Sequence, residues 1–489
     1  MPPIKRSPAQ TPLAQAKYSR RTKGEPVERI AIVGGGIAGL TAAYELATLA
    51  RSGSPVEAIL FESTHHLGGI VETVREGGFI LECGPDAWVT EKPWARTLVE
   101  ELGLANEIIP SNDATRKTYV LIDGHLRAMP DGMRMMVPTD LAALDASDLF
   151  SPEAKQSFRN ELTRAEDLKS SAPQQDESVA AFVHRHFGDE VLEKIGAPLL
   201  SGVFGGDVTK LSVRAVMAPF VAMEREHGSL ITAAQVRAAA GGSKPAAIFT
   251  TLRSGLGTLV DHLIAAIPAH WIRLGDTVQY LSREDDCWLI GTGKETERFD
   301  AVMMAAPVDV ARSLIEPIAP QAADLMTMEA SSAVVVVFGF PNAASLSLPP
   351  GFGFLVPPGS NNLLLAATFM DQKFPDRVPP NGRILRAFFG GTAANRLMRC
   401  GNDETAAVAR LELARILGPL PEPQVTVVRR WPNSLPQYAV GHLGRMAELD
   451  KRVQSLRGLW LLGNGYRGVG LPDLIRDARA AAHAATTAS

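Results

Sequence analysis

The sequence predicts an α/β protein: a βαβ domain that is discontinuous along the chain, with an α+β domain and a helical excursion inserted into it. Three observations lead there. Near the start, RIAIVGGGIAGLTAAYELA runs from a β-branched stretch through a glycine cluster into apolar residues at helical spacing. Near the end, GLWLLGNGYRGVGLPDLIRDARAAAHAA repeats that strand, glycine turn, helix order. Between them, from Pro138 to Gly242, the pattern becomes helical.

Composition narrows the class before any motif is read. The 489 residues carry 49 Lys+Arg against 53 Asp+Glu, are 46% hydrophobic and 6% aromatic, and suffice for a large core in two or more packed regions. Disordered, collagenous and disulfide-stapled chains are excluded. A formal charge of −4 lacks the basic excess of a nucleic-acid binder. Cys83, Cys287 and Cys400 lie far apart with no CxxC pair, so neither a zinc knuckle nor a dithiol couple is expected, and a reducing compartment is the default. No window approaches the ~18 uncharged apolar residues of a spanning helix. The most apolar run, Ala333 to Phe340, reads as a buried strand.

In the first unit, Gly34-x-Gly36-x-x-Gly39 stands where a strand hands over to a helix. A tight turn, a close approach of backbone to a pyrophosphate and close helix–strand packing each require a missing side chain there. A second strand, VEAILFE, ends in Glu62, 23 residues beyond Gly39, near the ~20 at which a carboxylate takes a ribose hydroxyl. Together these define a dinucleotide site. The doublet Gly68-Gly69 follows at once and would let a second backbone loop lie against the same pyrophosphate. A glycine doublet just after the ribose acid resembles the large flavoprotein group that includes amine oxidases, phytoene desaturases and porphyrinogen oxidases. His65 and His66 read as exposed loop residues, and no metal is expected.

In the carboxyl-terminal unit, a strand at Leu459 to Leu462 feeds a loop bearing Gly463, Asn464, Gly465, Gly468 and Gly470, then a helix from about Pro472-Asp473. Its amino end can face negative charge on a reduced flavin. Two half-sites over four hundred residues apart require a split domain. A third piece fits that plan: Ala301 to Ala305 reads as a buried strand followed by Ala-Pro and a helix. Before it, WIRLGDTVQYLSRE and WLIGTG read as strands of a hairpin-rich layer whose backbone could clasp an adenine, with Val278 the candidate.

Several segments from about Arg29 to Ala484 together resemble the protoporphyrinogen/coproporphyrinogen oxidases of haem biosynthesis, within the amine oxidase-like flavoproteins. They are FILECGPDAW, YVLIDGHLRAMPDG, APLLSGVFGGDVTKLSVRA, EREHGSLI, GFGFLVP, WPNSLPQYAVGH and GNGYRGVGLPD. SGVFGGD and GVGLPD discriminate best, because amine oxidases and desaturases lack them as a pair. Carried over by position, the resemblance implies FAD contacts at Gly34, Gly35, Gly36, Ile37, Ala38 and Gly39, at Glu62, Gly69 and Ile70, and at Gly84, Pro85, Asp86 and Ala87. It also implies contacts at Ser201, Val278, Asn464, Val469, Gly470 and Leu471. For the substrate it places Phe352, Leu355 and Phe388 against the tetrapyrrole rings.

One departure concerns the substrate carboxylates. The family's eukaryotic members carry an Arg twelve residues before the Pro of the LxxxP loop; here that proline is Pro130 and the position is Thr118. Arg116 and Lys117 lie close by, and since neighbouring strand residues point to opposite faces only one of them could substitute.

The resemblance implies an FAD-dependent oxidase that takes a porphyrinogen, coproporphyrinogen III or protoporphyrinogen IX, to the porphyrin by three two-electron oxidations with O2 as acceptor. No catalytic side chain is expected, since flavin supplies the chemistry. The expected division is a tail over 1–26, an FAD-binding domain over 27–115, 246–310 and 443–489, a substrate-binding domain over 116–137 and 311–442, and a helical domain over 138–245. The tail is Pro-rich and basic without an apolar h-region, so it reads as solvated chain rather than a secretory signal. A cytoplasmic enzyme is expected. Peripheral contact at the inner face of the cell membrane, hand-over of product to a ferrochelatase and homodimerisation are compatible with the resemblance. The rival readings are another flavin amine oxidase or carotenoid desaturase and, of a different class, a non-catalytic escort protein on the same nucleotide fold.

Overall fold

Five short strands from four distant parts of the chain form one parallel sheet, in the order Ile272–Leu274, Val56–Glu62, Glu28–Val33, Ala301–Met304, Leu459–Leu461. The computed structural model describes residues 27–240, 247–343 and 346–487, so the expected tail lies outside the described residues. Alternation explains why the two central strands are apolar throughout. Ile30, Ile32 and Leu60 point into one core with the helices Ile37–Arg51 and Leu471–Thr487. Ala31, Val33, Ile59 and Phe61 point into a second with Val278, Leu281 and Trp288. A parallel sheet covered on both faces has no polar side to show.

That sheet fastens the two ends of the chain together. The first helix and the last share the first core through Leu40, Ala43, Ala478 and Ala482, and Glu45 of the first pairs with Arg479 (3.0 Å) and His483 (2.9 Å) of the last.

The stretch expected as hairpin strands divides. Ile272–Leu274 joins the edge of the parallel sheet, whereas Val278–Glu284, Cys287–Thr292 and Thr296–Phe299 form an antiparallel layer over its second face. Gly275, at φ +59°, turns the chain between them, and the amides of Gly275 and Asp276 donate to the carbonyls of Thr64 and Glu62.

A separate sheet of seven strands runs Val425–Pro436, Ala330–Phe340, Arg383–Phe389, Ala366–Phe369, Gly353–Leu355, Thr118–Ile122, His125–Ala128. The apolar run expected at 333–340 is thus its second strand. One face carries Tyr119, Val336, Phe354 and Ala387, packed with Ala394, Leu397 and Leu413 of the helices Gly391–Leu397 and Asn402–Leu417. Residues 141–240 are mostly helical with a core of their own, including Phe158, Phe182, Phe187 and Ile231. Val120 of the large sheet and Val469 of the last glycine loop also pack there. No helix among the described residues is long and apolar enough to cross a membrane.

Candidate cofactor and substrate site

Each glycine of the first motif does something different. Gly34 sits at φ +111°, where a Cβ would lie 2.6 Å from the Ala305 carbonyl oxygen. A Cβ on Gly39 would lie 1.9 Å from the Gly34 carbonyl oxygen. These two permit the turn and the packing. Gly36 differs: it has ordinary extended backbone (φ −72°, ψ 179°), and a Cβ there would meet no atom within 4 Å. It caps the helix Ile37–Arg51, whose first turn holds no acid and whose amino end has no side-chain cap. Ile37 and Ala38, both buried residues, stand in that first turn. First-turn amides without a side-chain cap, beside a position where a Cβ would meet no atom, suit a phosphate as a cradle.

Glu62 closes the edge of this cradle. One carboxylate oxygen accepts from the Gly35 amide at 2.8 Å, the other from the Thr64 amide at 2.8 Å. The glycine doublet lies against the same loop: the Gly68 amide donates to Gly35 O at 2.8 Å, and a Cβ on Gly69 would stand 3.3 Å from Gly36 Cα. Ile70 follows, and a Cβ on Gly84 would sit 1.8 Å from its carbonyl oxygen. Gly84, Pro85, Asp86 and Ala87 form a half-buried window between buried Cys83 and Trp88. Val278 opens its strand three residues beyond Gly275, which is tied to the Glu62 end of the cradle.

The carboxyl-terminal half-site reaches the same sheet edge. Val33 pairs with Met304 and Met304 with Leu461, so Gly34 and the loop after Leu461 stand two strands apart, about 10 Å. Gly463, at φ +124°, is open, with no atom within 4 Å of a Cβ. The Tyr438 hydroxyl shapes this loop, donating to Asn464 O at 2.6 Å and accepting from the Gly468 amide at 3.0 Å. Asn464 Nδ2 donates to Ser434 O at 2.8 Å. His442 stacks on Tyr438 with ring centroids 3.9 Å apart, its Nε2 3.0 Å from Tyr466 O. Burial pushes Tyr438 and Tyr466 up and His442 down to about 4, so all three are neutral near pH 7. Val469 and Gly470 are half-buried, and Leu471 is buried at the start of the last helix. Ser201 Oγ lies 3.3 Å from Gly206 O, in the segment pinned by Gln437 Nε2 donating to Phe204 O at 2.7 Å.

Strand register sorts the residues expected to line the substrate. Val120, Leu355, Ala366, Phe388 and Val335 lie in one row across the large sheet, on the face away from its helices. Leu355 and Phe388 are half-buried there, Phe388 packing against the core of Phe79, Leu81 and Cys83. Phe352 is buried, just before the strand, and Gly353 at φ +140° interrupts the alternation between it and Leu355. Neither basic candidate belongs to this face. Arg116 precedes the strand and pairs with Asp113 at 3.4 Å, while Lys117 pairs with Asp131 at 3.7 Å. Thr118 begins the next row, Thr118, Gly353, Thr368, Arg386.

Arg386 was not singled out from the sequence. Its guanidinium lies 4.8 Å over the Phe388 ring and 3.2 Å from Asp86, and Lys373 Nζ lies 2.9 Å from the same carboxylate. Burial alone would raise the Asp86 carboxyl, yet Lys373 and Arg386 hold it below the usual carboxylate range. The alternation of Arg386 with Phe388 in LRAFF was the available signal; Lys373, outside any strand, left none. No group of three or more His, Cys, Asp or Glu among the described residues could hold a metal, and His65 and His66 are exposed.

An open, uncapped helix amino end, a carboxylate at the second strand's tip and a second glycine loop stacked on the first define a dinucleotide-binding oxidoreductase, and the chain belongs to the flavin-containing amine oxidoreductase family, which matches residues 37–486. It is an FAD-dependent enzyme. Its relatives are more particular. The chain is 31% identical over 468 residues to the coproporphyrinogen III oxidase of Bacillus subtilis (strain 168), covering 94% of this chain and 98% of that one. It is 32% identical over 485 residues to the coproporphyrinogen III oxidase of Propionibacterium freudenreichii subsp. freudenreichii, covering 92% and 89%. Among solved structures, one assigned as a protoporphyrinogen oxidase from Exiguobacterium sp. 255-15 superposes with a TM-score of 0.83 at 30% identity, covering 95% of this chain and all of that one.

Proposed function

We propose that this enzyme oxidises a porphyrinogen of the coproporphyrinogen III and protoporphyrinogen IX class to the porphyrin. The observation that carries the reading is the half-buried pair Leu355 and Phe388, in one row on the sheet face away from its helices, with Arg386 in the next row reaching to the Gly84–Ala87 window. The apolar pyrrole faces of a macrocycle bent at its saturated meso carbons suit such a wall. The full-length similarity to porphyrinogen oxidases supports it.

Gly34 to Gly39 and the Gly68-Gly69 loop would hold the pyrophosphate of FAD, and Glu62 a ribose hydroxyl. Val278 would lie against the adenine, and Gly69, Ile70, Gly84 to Ala87, Ser201, Asn464 and Val469 to Leu471 would frame the rest. FAD, when bound, supplies the hydride acceptor that O2 regenerates. Porphyrinogen to porphyrin releases six electrons and six protons; three O2 take them up as three H2O2. The protein's part is placement. Leu355 and Phe388 orient the macrocycle and exclude water from its meso carbons, while neutral Tyr438 and His442 fix the Asn464–Gly468 loop without exchanging protons. We assign no side chain as acid or base.

The domain limits are proposed as read from the sequence, 27–115, 246–310 and 443–489 for the cofactor, 116–137 and 311–442 for the substrate and 138–245 for the helices. Peripheral membrane contact, dimerisation and product hand-over to a ferrochelatase remain proposals for the same enzyme. Incubating the purified holoprotein in air with coproporphyrinogen III and with protoporphyrinogen IX, with and without lipid vesicles, tests the reading. Porphyrin fluorescence should outpace autoxidation with at least one substrate. No excess over autoxidation with either overturns it.

A further inference from the structure

Asp86 is the single carboxylate between two buried cations. Lys373 Nζ lies 3.0 and 2.9 Å from its two oxygens, Arg386 Nη1 lies 3.2 Å from Oδ2, and Arg386 Nη2 donates to Gly84 O. Both cations are under a tenth exposed. The other charged groups close by pair off: buried Glu82 with buried Arg377 at 2.5 Å, buried Asp371 with Arg383 at 2.6 Å, and half-buried Glu72 with Arg429 at 2.5 Å. Arg386 Nε is buried with no hydrogen-bond partner. One positive charge is thus left over behind the Gly84–Ala87 window, in surroundings of low polarizability where a unit charge acts over several ångströms.

We propose that Lys373 and Arg386, balanced by Asp86, are positioning residues that set the reduction potential of the bound cofactor, their excess charge favouring its reduced, negatively charged form. The inference rests on Gly84–Ala87 facing the cofactor, as read above. An Arg–Asp–Lys cluster serving only to hold the window would need no surplus cation; one Lys or Arg would satisfy Asp86. The surplus also explains why the cluster joins two domains: Arg386 stands beside Phe388 on the substrate-facing strand and reaches to the cofactor-facing loop, so one charge acts where electrons cross between the two.

The test is a dye-equilibration titration of the full-length FAD-loaded protein against Lys373→Met, Arg386→Met and Asp86→Asn. Removing either cation should lower the equilibrium constant for cofactor reduction roughly tenfold, which is ~30 mV for a two-electron couple. Neutralising Asp86 should raise it by a similar factor. Opposite signs distinguish charge from packing, since a cluster that only holds the window would shift all three variants alike. Arg386→Lys and Lys373→Arg, which keep the charge, should stay within about threefold of the unmodified protein; where a Met variant does not fold, the corresponding Gln variant is compared with them. Shifts of one sign throughout, or none above twofold, overturn the proposal. Porphyrinogen turnover by the unmodified protein is scored separately, so failure of the substrate reading leaves the potentials to stand or fall alone.

Discussion

Gly36→Ala separates the cofactor cradle from the fold that carries it. The residue has φ −72° and ψ 179°, which alanine adopts freely, and a Cβ there would meet no protein atom within 4 Å. The cofactor-free chain should therefore change by no more than about 1 kcal/mol, the ordinary range for Gly to Ala at a helix cap. The methyl group would occupy the space through which a phosphate reaches the amides of the first helical turn. Overpacking costs about 1–3 kcal/mol, and each charge-assisted hydrogen bond lost about 1.5–3 kcal/mol. FAD affinity should fall by at least about 3 kcal/mol, roughly 100-fold. Gly39→Ala is the counterpart: its Cβ would lie 1.9 Å from Gly34 O, so the turn must open and the chain itself should lose about 1–3 kcal/mol. Thermal unfolding of the cofactor-free proteins and titration with FAD, followed by flavin fluorescence, measure both quantities. If Gly36→Ala binds FAD within threefold of the unmodified protein, or destabilises the empty chain as much as Gly39→Ala does, the cradle has been misread.

The other expectations concern substrate, acid and the buried ions. Phe388→Ala should raise KM for the porphyrinogen roughly ten- to 100-fold through lost apolar contact while leaving the flavin absorbance spectrum unchanged; a loss confined to FAD affinity would contradict that placement. Burial holds His442 down to about 4 against an ordinary 6.5. The unfolded chain therefore takes up the proton first, and the stability this residue contributes is complete above pH 6.5 and lost as pH falls towards 4. Urea unfolding should show about 2 kcal/mol less stability at pH 4.5 than at pH 7 from this source, and His442→Gln should flatten the slope by that amount. The Arg377 and Glu82 side chains are fully buried and 2.5 Å apart, so Glu82→Gln should cost about 3–5 kcal/mol by stranding the guanidinium. Replacing both by apolar residues should cost less, and a double variant worse than either single one would refute that account.

The sequence by itself determined the elements whose signal is local. Gly34-x-Gly36-x-x-Gly39, the acid at Glu62 and the doublet at 68–69 each need particular residues at short fixed spacing, because backbone that approaches a phosphate leaves no room for side chains. The strand at 333–340 and the last glycine loop with its helix were legible for the same reason. Tertiary structure alone decided what depends on register between strands far apart in the chain. Leu355 and Phe388 share a face with Arg386 because Ala366 and Thr368 link their strands, which sets Arg386 and Asp86 beside that face, while Arg116 and Lys117 pair with Asp113 and Asp131. Likewise WIRLGDTVQYLSRE looks like one hairpin layer, but Gly275 breaks it and its first strand completes the parallel sheet. Charge balance behind the Gly84–Ala87 window is of this second kind: Asp86, Lys373 and Arg386 are scattered along the chain and become a single electrostatic unit only when two sheets meet, since Coulomb interactions depend on separation in space and not along the sequence.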